Sequence, residues 1–198
     1  MVFLKSADWQ MKRCDWCGND PLYVAYHDTE WGVPRRDESV LFEFLLLEGV
    51  QAGLSWITVL RKRENYREAF DGFNPELIAR YGKRKINQLL KNEGIVRNRL
   101  KLDSAIKNAR AYLALREQGQ SLSSCLWSFV NDMPIQNRFR TIAEVPATTP
   151  LSDQVSKALK QRGFNFVGST ICYAYMQSIG MVNDHLTSCF RHKECQTF

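Results

Sequence analysis

Four residues suggest metal chemistry. Cys14 and His27 flank twelve intervening residues, and His185 and Cys189 stand at i and i+4, which puts both side chains on one face of a helix or turn. Two cysteines and two histidines suit a closed tetrahedral zinc site with no open position for water. Such a site would pin the N-terminal segment to the C-terminal one across about 160 residues, a stabilising closure of a long loop. Other donors compete: Cys17 forms a Cys-x-x-Cys with Cys14, and His192 and Cys195 make a second C-terminal pair. Ordinary buried thiols and imidazoles are the alternative to any metal. Two other zinc patterns do not fit: the paired histidines of a DNA-reading finger and the His-x-Glu with Pro-Cys-x-x-Cys of a nucleobase deaminase are both missing.

Glu48 is the second chemical signal. It falls on the apolar face of a helical stretch marked by Leu41, Phe44, Leu45 and Ala52. A carboxylate there is either capped by backbone donors or held for a ligand. Trp16, Tyr23, Tyr26 and Trp31 crowd the segment around His27, and Trp56 follows Glu48 by eight residues. Aromatic clusters serve as core in most proteins, but tyrosine and tryptophan beside a buried carboxylate suit a flat, electron-poor guest.

A third signal is charge. The net charge of +6 is mild, yet residues 80–110 carry ten basic residues against Glu93 and Asp103 alone. A basic block on a near-neutral body fits either a polyanion-binding face or a solvated helical surface. Within it, Glu93-Gly94-Ile95-Val96-Arg97 reads as a tight turn between two helices. Amides at the start of the second helix, beside Arg97 and Arg99, form a plausible grip for a DNA backbone.

These residues need elements to hold them, and breakers and caps divide the chain into helices. The first ends near Gly53, and Ser55 could cap a helix from Trp56 to about Phe70. Asn74-Pro75 starts another that stops at Gly82, Lys83–Asn92 follows, and Arg99–Gln118 is longer, with Leu102, Ile106, Ala109 and Leu113 as its apolar stripe. Thr149 or Ser152 would cap a helix ending at Gly163, and Ser169 one ending at Gly180. Alternating strand patterns are nearly absent, so the expected class is all-α. At 198 residues the chain can bury a core without disulfides, no apolar run is long enough to span a membrane, and the N-terminus lacks a signal-peptide core. The reading is a soluble, cytoplasmic protein with its six cysteines reduced or metal-bound.

Several runs resemble bacterial DNA-3-methyladenine glycosylase I. They are residues 20–34 (DPLYVAYHDTEWGVP), 51–60 (QAGLSWITVL), 108–113 (NARAYL), 127–131 (WSFVN), 162–173 (RGFNFVGSTICY) and 182–185 (VNDH). The resemblance covers about residues 11–190, leaving 1–10 as an N-terminal extension and 191–198 as a C-terminal tail. It implies a helix-hairpin-helix DNA glycosylase fold with one structural zinc on Cys14, His27, His185 and Cys189. It also implies a base-recognition carboxylate at Glu48, pocket aromatics at Trp16, Tyr23, Tyr26 and Trp56, and a hairpin at Gly94. The loop that wedges into the DNA falls on Gln51, Gly53 and Leu54.

The reaction so implied is hydrolysis of the N-glycosidic bond of 3-methyladenine in alkylated double-stranded DNA, by a single chain that flips the base into its pocket. Glu48 is expected to act first in recognition and second as a general base. Asp132 is not expected to act. A zinc-stapled DNA-binding protein without enzymatic activity, and a glycosylase accepting other alkylated purines, are the rival readings.

Overall fold

Short polar side chains start most of the helices. The computed structural model describes residues 11–197, so the expected extension 1–10 and the last residue of the tail lie outside it. Asp20 accepts from the amides of Leu22 and Tyr23 and begins α1 (Pro21–Thr29). Asp37 does the same for α2 (Glu38–Gln51) through Ser39 and Val40. Each cap satisfies donors that have no intrahelical partner. Then come α3 (Trp56–Leu60), α4 (Arg63–Ala69), α5 (Pro75–Ile78, capped by Asn74) and α6 (Lys83–Leu89). Asn98 caps α7 (Arg99–Glu117), and Ser121 caps α8 (Leu122–Trp127). After β1 (Ile135–Gln136), α9 (Pro150–Gln161) begins at a Thr149–Ser152 capping box. The chain closes with α10 (Ser169–Ser178), β2 (Val182–Asn183) and α11 (Phe190–Glu194).

The protein is mostly helical, as expected, with one addition. β1 and β2 pair in parallel, Ile135 with Val182 and Gln136 with Asn183. Two residues per strand are too few to leave an alternating pattern in sequence.

Helix α2 is the axis of the fold. Leu41, Phe42 and every residue from Phe44 to Val50 are buried, with α3, α7, α8 and α10 packed around it. At its N-terminus Glu38 accepts from the amides of Leu122 and Ser123, joining α2 to the start of α8.

Two local expectations need correction. The helix expected from Trp56 to Phe70 is two helices. Arg61 pairs with Asp20 at 2.6 Å, Lys62 donates to the Glu93 carbonyl at 2.9 Å, and Arg63 turns inward to Glu30 and Glu43. The break falls at three consecutive cations whose side chains reach different parts of the fold. The N-cap position of α10 is Gly168 rather than Ser169, whose hydroxyl lies 2.7 Å from that of Ser152 on α9. The C-terminal segment packs on the body: Arg191, His192 and Cys195 are buried, and Asn183 donates to the His192 carbonyl at 3.0 Å.

Gly180 has a φ of +71°, and a Cβ there would come within 2.4 Å of the Val33–Pro34 backbone. This close passage lays residues 32–35 against the end of α10, where Gly32 donates to the Gln177 carbonyl and Arg35 to that of Ile179, both at 3.0 Å.

Candidate functional site

Cys14 leads into the short turn before α1, His27 sits near the end of α1, and His185 and Cys189 follow β2. All four are buried, and their donor atoms lie within 4.8 Å of one another. His27 Nε2 is 3.4 Å from Cys189 Sγ, and His185 Nδ1 is 3.7 Å from both Cys14 Sγ and Cys189 Sγ. Tetrahedral zinc bonds of about 2.0–2.3 Å require ligand-to-ligand edges of roughly 3.3–3.8 Å, so the donor set is dimensioned to hold a metal ion.

The far side of each imidazole fits the same purpose. His27 Nδ1 faces Asp28 Oδ1 at 2.7 Å, and Asp28 is in turn held by Arg13. His185 Nε2 faces the Trp31 carbonyl at 3.0 Å. These partners take the ring N–H groups and leave a lone pair on each inner nitrogen. Burial pushes the His185 pKa down, which keeps its ring neutral. The hydrogen bond between the two apposed thiols pushes the Cys14 pKa up and that of Cys189 down. Among the described residues the competing donors Cys17, His192 and Cys195 are not members of the cluster.

Beside this cluster lies a cavity of about 350 Å³, within the size range of small-molecule sites. Trp16, Tyr23, Tyr26, Glu48 and Trp56 all line it. The Trp16 ring stands 4.9 Å from Tyr23 at 59° and 5.0 Å from Trp31 at 69°, while Tyr26 lies 5.4 Å from Trp56. Helix α1 supplies the two tyrosines from one face, three residues apart, and α2 presents Glu48 from below.

Glu48 is 3% exposed and its Oε2 has no hydrogen-bond partner. Trp56 Nε1 is likewise buried and unpartnered. Buried polar groups are almost always paired, so two orphans lining one cavity mark it as built for a guest. Burial pushes the Glu48 pKa up to about 8, against a smaller lowering by Ser178. That hydroxyl already donates to the Tyr175 carbonyl at 2.9 Å, so it offers the carboxylate little.

The family is decided by comparison. A family model described as methyladenine glycosylase matches residues 16–192. The chain belongs to this family. It is 52% identical over 179 residues to DNA-3-methyladenine glycosylase 1 of Escherichia coli (strain K12), covering 90% of this chain and 96% of that one. A crystal structure of 3-methyladenine DNA glycosylase I superposes with a TM-score of 0.89 at 54% identity, over 90% of this chain and 98% of the other. A point variant of 3-methyladenine DNA glycosylase I, crystallised in complex with 3-methyladenine, gives a TM-score of 0.87 at 36% identity, over 91% and 97%.

In this methyladenine glycosylase the loop Gln51–Leu54 lines a second cavity of about 230 Å³ that shares Glu48 and Gln51 with the first. Gly53 has a φ of +77°, which favours glycine, and Leu54 is exposed at the tip. The Gly94 turn differs in detail from expectation. Its own amide donates to Asn92 Oδ1 at 2.8 Å, and that of Val96 to the Tyr66 hydroxyl at 3.0 Å. A Cβ at Gly94 would come within 3.0 Å of Asn65 and Asn92, so the glycine serves close packing on α4. Arg97 and Arg99 are exposed and pair along their own segment with Glu93 and Asp103.

Asp184 is one of several cavity residues that the sequence reading did not single out. It is buried and accepts from Tyr173 Oη at 2.6 Å, Gln177 Nε2 at 2.8 Å and Asn137 Nδ2 at 2.6 Å. Asp184, Tyr173 and Gln177 form one wall of the cavity. The only sequence hint was Asp184's place beside His185. Asp132 is exposed and ion-paired with Arg36 at 3.0 Å, outside the cavity lining.

Among the described residues, no helix is long and apolar enough to cross a membrane.

Proposed function

We propose that the chain is a base-excision repair enzyme that hydrolyses the N-glycosidic bond of 3-methyladenine in alkylated DNA. The observation that carries this reading is Glu48: a carboxylate with one oxygen unpartnered, buried in an aromatic cavity, in a member of the methyladenine glycosylase family.

Methylation at N3 makes the base cationic within the nucleotide, so it leaves more readily than adenine. The pocket then accelerates cleavage by holding the departing base more strongly than the intact nucleotide. Glu48 accepts a hydrogen bond from the exocyclic amino group, with Tyr26 beside it, while Trp56, Tyr23 and Trp16 enclose the ring faces. A cation entering beside Glu48 favours the carboxylate over the protonated acid, so charge selects the methylated nucleotide, while stacking and hydrogen bonds hold the neutral departing base. Any general-base role for Glu48 is secondary. An unmethylated adenine carries no charge with which to balance the buried carboxylate.

The base must first leave the duplex, at a cost of roughly a few kcal/mol. Arg97, Arg99 and the hairpin at Gly94 grip the backbone, with Gly94 acting through the shape of the turn because its amide is engaged. Gln51, Gly53 and Leu54 form the wedge, and Leu54 fills the vacated stack.

Cys14, His27, His185 and Cys189 would hold one zinc ion. When bound it supplies a structural closure of the chain, because four protein ligands leave no position for a reacting water. The two segments it would join also carry Trp16 and Asp184 of the cavity wall.

The test is release of free bases from methylated duplex DNA, separated by chromatography. A 3-methyladenine peak with little 7-methylguanine is expected. Comparable release of both would point to a broader glycosylase. No released base from folded, zinc-loaded protein would overturn the enzymatic reading in favour of a DNA-binding module.

A further inference from the structure

Lys101 joins two features that otherwise stand apart. It is the third residue of α7, directly after the hairpin, and its amide donates to the cap residue Asn98 at 3.2 Å. Its half-buried ammonium reaches across to α2 and donates to the carbonyls of Val50 at 2.6 Å and Ala52 at 2.7 Å. Val50 lies in the last turn of α2, and Ala52 is where the chain leaves the helix, with φ −45° and ψ 114°. Carbonyls at a helix C-terminus lack intrahelical partners, and a cation there also complements the helix dipole.

The loop beyond has few other ties. Its turn is closed by the Leu54 amide donating to the Gln51 carbonyl at 2.6 Å. Among the described residues, no side chain except Lys101 donates a hydrogen bond to the backbone of residues 50–54. Lys101 is therefore fixed at its backbone by the hairpin cap and at its side chain by the root of the loop.

We propose that Lys101 is a positioning residue for base flipping, whose ammonium sets the register of the Gln51–Leu54 loop against the hairpin. This rests on the reading of that loop as the wedge. Phosphates held at the hairpin would then locate the duplex relative to Leu54, so that the side chain enters the stack where the damaged nucleotide leaves. Without the two hydrogen bonds the loop still forms its turn, but its placement relative to the hairpin is no longer set. Displacements near 1 Å in such positioning cost up to about a hundredfold in rate.

The experiment compares wild type, Lys101→Met, Lys101→Arg, Leu54→Ala and the Lys101→Met/Leu54→Ala double variant. Each is assayed for single-turnover excision from methylated duplex DNA and for affinity to free 3-methyladenine by tryptophan fluorescence. Methionine keeps the apolar stem and removes the donors. We expect Lys101→Met to slow duplex excision about tenfold or more, with base affinity changed less than about twofold and substantial rescue by arginine. In the double variant the two defects should not multiply, because both act through the same loop. Duplex excision by Lys101→Met within about twofold of wild type, a multiplicative double variant, or base affinity falling in step with excision would each overturn the inference. Leu54→Ala matching wild type would remove the wedge reading and the inference with it. Failure of the wild type itself to release base would instead sink the proposed function.

Discussion

Trp31 and His185 connect the metal cluster to the cavity. The His185 Nε2 atom lies 3.0 Å from the Trp31 carbonyl, and the two rings stand 4.6 Å apart at 84°. Trp31 in turn packs on Trp16 at 5.0 Å, and both tryptophans line the cavity. A cluster able to hold a metal ion thus also contacts one aromatic wall of the cavity.

Replacement of a ligand should therefore act on stability first. The wild type is expected to bind one zinc per chain, and Cys189→Ser to lose it and to melt roughly ten degrees lower or more. Excision should persist at low temperature, where the apo fold survives. Asp28→Asn keeps all four ligands but removes the carboxylate behind His27, and should weaken zinc binding about 10–100-fold. Unchanged zinc content in Cys189→Ser would sink the ligand assignment.

Glu48 makes stability depend on pH in a defined direction. Burial raises its pKa from an ordinary 4.5 to about 8. Between those values the native state holds a proton that the unfolded chain has released, so this group lowers stability as pH rises through the window. Glu48→Gln removes the effect. Melting curves should show the variant gaining on wild type from pH 5 to pH 8, with the gap levelling above it; a gap independent of pH would contradict the assignment.

The same substitution should damage recognition. A charge-assisted hydrogen bond is worth enough that Glu48→Gln should lose about 10–100-fold in single-turnover excision of 3-methyladenine. In the wild type, kcat/KM should rise with pH as the carboxylate of the free enzyme ionises, and in the variant that limb should vanish. Full excision and full selectivity in Glu48→Gln would remove Glu48 from the site.

Stacking on Trp56 can be tested separately. Aromatic stacking on a base is worth about 1–3 kcal/mol, so Trp56→Ala should weaken binding of free 3-methyladenine roughly 10–100-fold. Affinity for undamaged duplex should barely change, because Trp56 is buried behind the loop. Equal losses in both measurements would indicate general disruption of the fold.

The arginines of the hairpin should reveal themselves through salt. Arg97 and Arg99 are exposed, and their pairs with Glu93 and Asp103 add little to stability. Arg97→Ala and Arg99→Ala should each melt like wild type and each lower the slope of log affinity against log salt by about 0.9. Slopes equal to that of wild type would place the phosphate contacts elsewhere.

The sequence by itself determined the class of the protein and much of its local structure. Asn74 before Pro75, and Thr149 three residues before Ser152, mark helix starts because capping joins near neighbours in the chain. His185 and Cys189 were legible as a pair for the same reason, and Glu48 because a carboxylate amid apolar neighbours at helical spacing is conspicuous. Their likeness to methyladenine glycosylases selected Cys14, His27, His185 and Cys189 over the competing donors and supplied the roles proposed for the pocket.

Only the tertiary structure decided the rest. Cys14 and His185 meet across 171 positions, and Asp184 gathers donors from Asn137, Tyr173 and Gln177. The contacts of Arg61, Lys62 and Arg63 at the break between α3 and α4 depend on where Asp20, Glu93, Glu30 and Glu43 lie in space, and the Lys101 contact depends on α7 lying beside the end of α2. Periodicity and capping describe how a segment interacts with itself. Which polar group is left unpaired in the core, as Glu48 Oε2 is, depends on every segment packed around it.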